Sequence, residues 1–319
     1  SYWYHQNFGG GGWHKVRLIS SSDGSWSSFD YYGDFRRHGA LQQVRRPHKN
    51  EPTSDPGWYT GVGESTTYSY DFVDWWGTQV LPTQIETRID NKYTSRTQFT
   101  YTEEAVTDSS STYDNSAAAQ MPVVVVTRRD FFNAGQFLTT VTRSYREDAD
   151  PQYKFFRGMP RSVERPDKTM EVMLYFRADF VSSSTPFNVS LTGGARVHAA
   201  IHGTSDAAMG TVLAGYETTA QAVPANFRIV AGKSTESRTL LGTAGLPVIS
   251  ERRVLVGGSW IVTGQDWTTF VNSIWPWFTQ QRSSTTTEFW TTVKNTWMAG
   301  RLTATVDAMG VRQSFGYDS

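Results

Sequence analysis

From residue 84 onward, hydrophobic and polar positions alternate along much of the chain with a period of two. In QIETRID, residues 84–90, Ile85, Thr87 and Ile89 share one face, while Gln84, Glu86, Arg88 and Asp90 share the other. After Asp90-Asn91-Lys92, the run YTSRTQFTY places Tyr93, Phe99 and Tyr101 on one side. Alternation of this kind marks a strand half buried in a sheet, and Asp and Asn tolerate the backbone of tight turns. Residues 84–101 are therefore predicted to form an antiparallel hairpin. MPVVVVT at 121–127 is short and β-branched, as a strand buried on both faces would be. Further strands are predicted at 136–145 and at 170–180, where Met170, Val172, Leu174, Phe176, Ala178 and Phe180 line one face. Shorter alternating runs follow at 187–191 and in RVHAAIH, residues 196–202.

Two segments carry a helical pattern instead. The alanine-rich stretch 205–222 is a helix candidate, and residues 265–280 set Trp267, Phe270, Val271, Ile274, Trp275 and Phe278 on an i, i+3, i+4, i+7 stripe that Pro276 should end or kink. EFWTTVKNTW near the end fits either a strand or a helix with Phe289, Val293 and Trp297 on one side; RLTATVD alternates. No internal repeat is present. The pattern as a whole predicts a mainly β protein: an antiparallel, jelly-roll-like β-sandwich over residues 81–319, with one or two short helices, one of them near 265–280.

The first eighty residues differ. They hold 17 of the 45 aromatics, in segments such as SYWYHQNF, FDYYGDF and FVDWW, broken by four glycines at 9–12 and by prolines at 47, 52 and 56. Neither period persists, so residues 1–80 are read as an extended, aromatic-rich and glycine-rich N-terminal arm. Contiguous exposed rings mark interaction sites. Trp3, Trp13 and Trp26 are the expected anchors of this arm on its own sandwich and on neighbouring subunits. Ser1 in place of a methionine is read as a processed or trimmed start.

Composition narrows the classes. Thirty basic residues balance thirty acidic ones across 319 residues, so no global field gathers a polyanion around the molecule. Cysteine is absent, which excludes disulfides, thiolate metal sites and cysteine nucleophiles. No run approaches the ~18 apolar residues of a membrane-spanning helix, and no membrane span is expected. Arginine outnumbers lysine 23 to 7, and its planar fork suits contact surfaces.

Candidate chemistry is sparse. His198 and His202 lie four apart, but a zinc protease needs a glutamate after the first histidine as general base, and Ala199 stands there. The pair, even with Asp206 as a third ligand, is read as polar-face strand residues, and no metal or cofactor is expected. AGKSTES at 231–237 ends like a phosphate loop but has Phe227 where the motif needs its first glycine. No G-x-S-x-G elbow occurs, since Ile261 follows Ser259 at +2. The acidic pairs Asp148/Asp150 and Glu103/Glu104 read as solvated loop charges, and Asn188-Val189-Ser190 is a formal glycosylation sequon of a kind common by chance. The one strong local charge feature is RRHGALQQVRRPHK, where Arg36, Arg37, Arg45, Arg46 and Lys49 are interrupted by no carboxylate and follow an aromatic stretch. Such a segment suits phosphates with stacked bases, or carboxylates of a partner surface.

These readings favour a non-enzymatic structural protein of a self-assembling shell, a viral or phage capsid subunit located in the virion. Its expected partners are copies of itself or related shell subunits, and packaged nucleic acid contacted through the basic segment. Two alternatives stand beside it: a secreted, extracellular carbohydrate-binding or carbohydrate-active β-sandwich, suggested by twelve tryptophans, and a β-pore-forming toxin, suggested by the Ser/Thr-rich hairpin at 84–101.

Overall fold

A computed structural model of the protein describes residues 2–4, 15–23, 25–33, 37–47, 63–73, 80–109, 118–133, 135–146, 158–181, 190–213, 223–242, 246–271, 275–283, 290–298 and 301–317. Among the described residues there are 21 strands and no helix, and the pairings are antiparallel. The chain divides into two units, Ser1–Glu103 with Val124–Val141, and Glu104–Val123 with Thr142–Ser319. Three long strands, β9 (Lys92–Ser109), β10 (Ala118–Asn133) and β11 (Gln136–Tyr145), contribute residues to both.

In the first unit, β1 (Tyr2–Tyr4), β2 (Val16–Ser20), β3 (Trp26–Tyr31), β4 (Leu41–Arg46) and β5 (Glu64–Ser69) pair each with the next. Among the described residues β6 (Phe72–Val73) and β7 (Val80–Leu81) pair only with each other, and β5 continues onto β8 (Gln84–Ile89), and β8 onto β9. The hairpin at 84–101 forms with the expected turn: Asp90 and Asn91 have φ of 49° and 62°, the two left-handed residues that a two-residue hairpin turn requires. Gly63 holds this turn, its N–H donating to Asp90 Oδ1 at 3.0 Å while Asp90 N donates to Gly63 O at 2.9 Å. Residues 1–80, expected as an extended arm, thus contain six strands paired in register, β1 to β5 with one another and β6 with β7. WSSFDY and LQQVRR alternate for only six residues each, too briefly for a period to stand out between turns.

In the second unit the order is β12 (Pro160–Glu164), β13 (Thr169–Val181), β14 (Ser190–Thr204), β15 (Thr235–Leu241), β16 (Pro247–Val256), β17 (Ser259–Val271), β18 (Trp275–Ser283), β19 (Trp290–Met298), β20 (Arg301–Asp307) and β21 (Arg312–Ser314). Each pairs with its successor. Among the described residues this is a meander, without the crossed connections of the expected jelly roll. Nor do the described residues near 265–280 form the expected helix: they belong to β17 and β18, with Phe270 opposite Pro276 and Val271 opposite Trp275. The register shifts between Thr269 and Phe270, beside the proline that has no N–H to give to a ladder. Residues 205–213 form turns and one isolated bridge, and 214–222 lie outside the described residues.

The core sits on one face of β13 to β17. Alternation turns Met170, Val172, Leu174 and Phe176 the same way, and register sets Val172 against Ile201, Leu174 against Ala199 and Phe176 against Val197. Leu240, Ile249 and Trp267 extend the face across β15 to β17. Phe227 and Ile229 close one end, carried by a segment that bridges to Thr204 and Thr211. A Cβ at Gly203 would meet Arg228 O at 2.2 Å and the Phe227 ring at 2.7 Å, so only glycine lets this segment cross.

Candidate functional site

Along β13 to β15, one end of the sheet gathers three turns. Arg165-Pro166-Asp167-Lys168 joins β12 to β13, with Lys168 at φ 68°. Residues 205–209 follow β14, and Val230–Ser234 precedes β15 with Gly232 at φ 73°. Between them lies a cavity of about 670 Å³, lined by the charged or ionisable groups Arg165, Asp167, Lys168, His202, Asp206 and Lys233, with Met170 and Val230 in its apolar wall.

The turns are stapled by backbone bonds. The Lys168 carbonyl accepts from Thr204 Oγ1 and Ser205 N, both at 2.9 Å. Gly232 N donates to Leu255 O, Lys233 N and Ser234 N both donate to Val230 O, and the buried Ser234 hydroxyl accepts from Val230 N at 2.8 Å. All three amides of the Gly-Lys-Ser run are therefore used, two inside the turn and one to β16, so it has no free N–H groups to cradle a phosphate as a phosphate loop does.

The carboxylates at the rim have local work. Asp167 Oδ1 accepts from the Thr169 hydroxyl at 2.7 Å and from Thr169 N at 2.9 Å, bonds that hold its carboxyl below the usual range. Asp206 Oδ1 accepts from Ala208 N at 2.9 Å. Glu171 binds Arg165 at 3.1 Å and lies 3.6 Å from His202 Nε2. Lys168 and Lys233 are exposed, and among the described residues neither ammonium has a hydrogen bond or ion pair.

His198 and His202 project from the same face of β14 but serve different partners. His202 sits opposite Glu171, whereas His198 meets the edge of Tyr175, ring centroids 5.0 Å apart. Tyr175 donates to Pro160 O at 2.6 Å and lies edge-on to Tyr145, whose hydroxyl accepts from the buried Arg161 at 3.1 Å. Burial, and secondarily the charge of Arg196, pushes the His198 imidazole below its ordinary value. Among the described residues no group of three His, Cys, Asp or Glu is arranged to hold a metal.

A second polar cluster is enclosed in the core face. Glu236, Arg238, Glu251 and Gln265 are all buried, and register brings Glu236 opposite Arg253, Arg238 opposite Glu251 and Glu251 opposite Gln265. Arg238 Nε lies 3.9 Å from both Glu236 and Glu251, Arg253 pairs with Glu251 at 2.5 Å, and the Gln265 amide donates to Glu251. Two guanidinium groups, Arg238 buried and Arg253 partly exposed, thus balance two buried carboxylates.

The basic segment is not gathered into one patch. Arg45 and Arg46 are consecutive on β4 and so face opposite sides of the strand. Arg45 binds Gln43 at 2.9 Å, Arg46 is exposed opposite Glu64, and the Arg37 guanidinium lies 4.1 Å from the Tyr32 ring centroid. Arg36 and Lys49 lie outside the described residues, as does Trp13. Trp3 belongs to β1, and Trp26 is buried within the chain at 5% exposure. Asp148 and Asp150 also fall outside the described residues, whereas Glu104 binds Arg143 at 3.2 Å.

The cavity was not foreseen from the sequence. Pro166-Asp167 and Gly232-Lys233 are turn signals, but only the β13–β14–β15 register brings them together. No protein-family model matches the sequence, and no curated protein is similar to it.

Proposed function

We propose that the chain is a non-enzymatic structural subunit of a self-assembling shell, in its most concrete form a virion or phage capsid component. The observation that carries this is the open edge at β21. Among the described residues β21 pairs on one side only, with β20, and all three of its residues are exposed. Phe315 N donates to Thr303 O, so by antiparallel alternation residues 313 and 315 bond inward while Arg312 and Ser314 present N–H and C=O groups outward. Met309, at 90% exposure, and Val311, at 64%, flank this edge together with Phe315 and Tyr317. An unprotected edge beside apolar side chains is a template for strand addition by another copy. In this setting Arg37 and Arg46 serve enclosed nucleic acid or an acidic neighbouring surface.

Light scattering and negative-stain microscopy of the full chain test the proposal. Large particles are expected, and Ser314→Pro, which deletes one outward N–H, should disperse them while β-type circular dichroism is retained. A monodisperse monomer at high concentration would overturn the proposal in favour of a carbohydrate-binding or pore-forming protein.

A further inference from the structure

We propose that the cavity at the turn end of β13, β14 and β15 binds a phosphate monoester. The site stands apart from the assembly edge and does not depend on it. The lining carries Arg165, Lys168 and Lys233 against Asp167 and Asp206, and Glu171, outside the lining, pairs with Arg165. What makes it an anion site is how those charges are directed. Asp167 and Asp206 accept hydrogen bonds from the amides of their own turns, and Glu171 is matched by Arg165. The two lysine ammoniums alone have no counter-charge in hydrogen-bonding range among the described residues.

Both lysines stand on turns whose backbones are fixed, Lys168 through its carbonyl and Lys233 through its N–H. Little backbone entropy remains to be lost when a ligand draws the two ammoniums together. Two unmatched positive charges call for a dianion. A phosphate monoester carries close to two negative charges near neutral pH, whereas a carboxylate or an internal phosphodiester carries one. Met170 and Val230 supply an apolar wall for the organic part of the ester, and about 670 Å³ is room for a group of nucleotide size. With the turn amides already used, recognition falls to side chains, and lysine binds phosphate as a point charge.

The ester could be a free nucleotide or sugar phosphate, or the 5′-phosphate end of a polynucleotide, and calorimetric titration of the full chain separates these. AMP and ribose 5-phosphate should each bind saturably, with adenosine at least about tenfold weaker. Lys168→Gln and Lys233→Gln should each weaken AMP by about tenfold or more, while Lys294→Gln, an exposed lysine outside the cavity, leaves it unchanged. Both lysines are exposed, so circular dichroism of the variants should match the parent. A 5′-phosphorylated oligothymidylate that displaces AMP more tightly than its unphosphorylated form places the ester on nucleic acid; no displacement by either oligonucleotide places it on a small molecule, and equal displacement by both would overturn the choice of a monoester. Adenosine binding as well as AMP, undiminished AMP binding in both lysine variants, or no saturable binding of any phosphate up to about 10 mM would overturn the proposal.

Discussion

The buried face of β13 to β17 is built from opposite chemistries in its two halves. On β13 and β14 it is aliphatic and aromatic, with Leu174, Phe176, Val197 and Ile201 almost fully enclosed. On β15 to β17 the same face carries Glu236, Arg238, Glu251 and Gln265 at comparable burial, beside the apolar Leu240, Ile249 and Trp267. Arg238 stands at the seam, opposite the small Ala199 and 5.9 Å from the Phe176 ring centroid. The apolar half gains stability from each carbon removed from water. The charged half must first overcome desolvation of four ions, and it does so only while every partner is in place. Equal burial therefore implies unequal tolerance: one half degrades by increments, the other by the loss of any single member.

Breaking the charged half at its centre should have the largest effect. Arg238→Ala leaves two buried carboxylates with fewer counter-charges and is expected to cost about 3–5 kcal/mol, read as a fall in the urea midpoint. Leu174→Ala opens a cavity in the apolar half and should cost about 2–5 kcal/mol. A loss under about 1 kcal/mol for Arg238→Ala beside a full loss for Leu174→Ala would show that the network contributes little and that the contrast is only one of composition. Replacing Glu236, Arg238, Glu251, Arg253 and Gln265 together by Leu or Met should leave stability within about 1 kcal/mol of the parent or raise it by up to about 4 kcal/mol. A strongly destabilised quintuple variant would mean that the ions hold the register as well as one another.

The smallest effect concerns the opposite face. His198 has a folded-state value below its ordinary 6.5, so the unfolded chain binds a proton before the folded one does. Stability should be fully present above that value and fall as pH drops below it towards the folded value. His198→Phe keeps a ring against Tyr175 and should flatten this part of the pH–stability curve; an unchanged slope would place the titration elsewhere.

The sequence made some of this legible and hid the rest for physical reasons. Alternation in 84–101, 170–180 and 196–202 identified strands because one face there is distinctly more apolar. It failed at Glu236, Arg238, Glu251 and Arg253, since a strand with polar side chains on both faces does not say which face is inside. The stripe of Trp267, Phe270, Val271 and Ile274 satisfies a helical period, yet β-branched and aromatic residues also favour strands, and the runs on either side of 272–274 pair with each other. The basic run read as one patch because linear spacing was followed instead of the pleat, which sends Arg45 and Arg46 to opposite sides. Two turn signals mark the cavity's lysines, but they are 65 residues apart and meet only through the ladder that aligns Glu171 with His202 and His202 with Thr235.

The sequential pairing of strands also sets an order of events during synthesis. Each strand of the second unit finds its partner in the one made just before it, so pairing can begin without waiting for a distant segment, and the loop to be closed is usually short. The sheet can then grow from its N-terminal side as the chain emerges. At every stage the newest strand is an open edge, and each intermediate is as ready to accept a foreign strand as its own successor. The connection between β14 and β15, residues 205–234, is the longest interval in this sequence and the point at which a growing chain would be most exposed to mispairing.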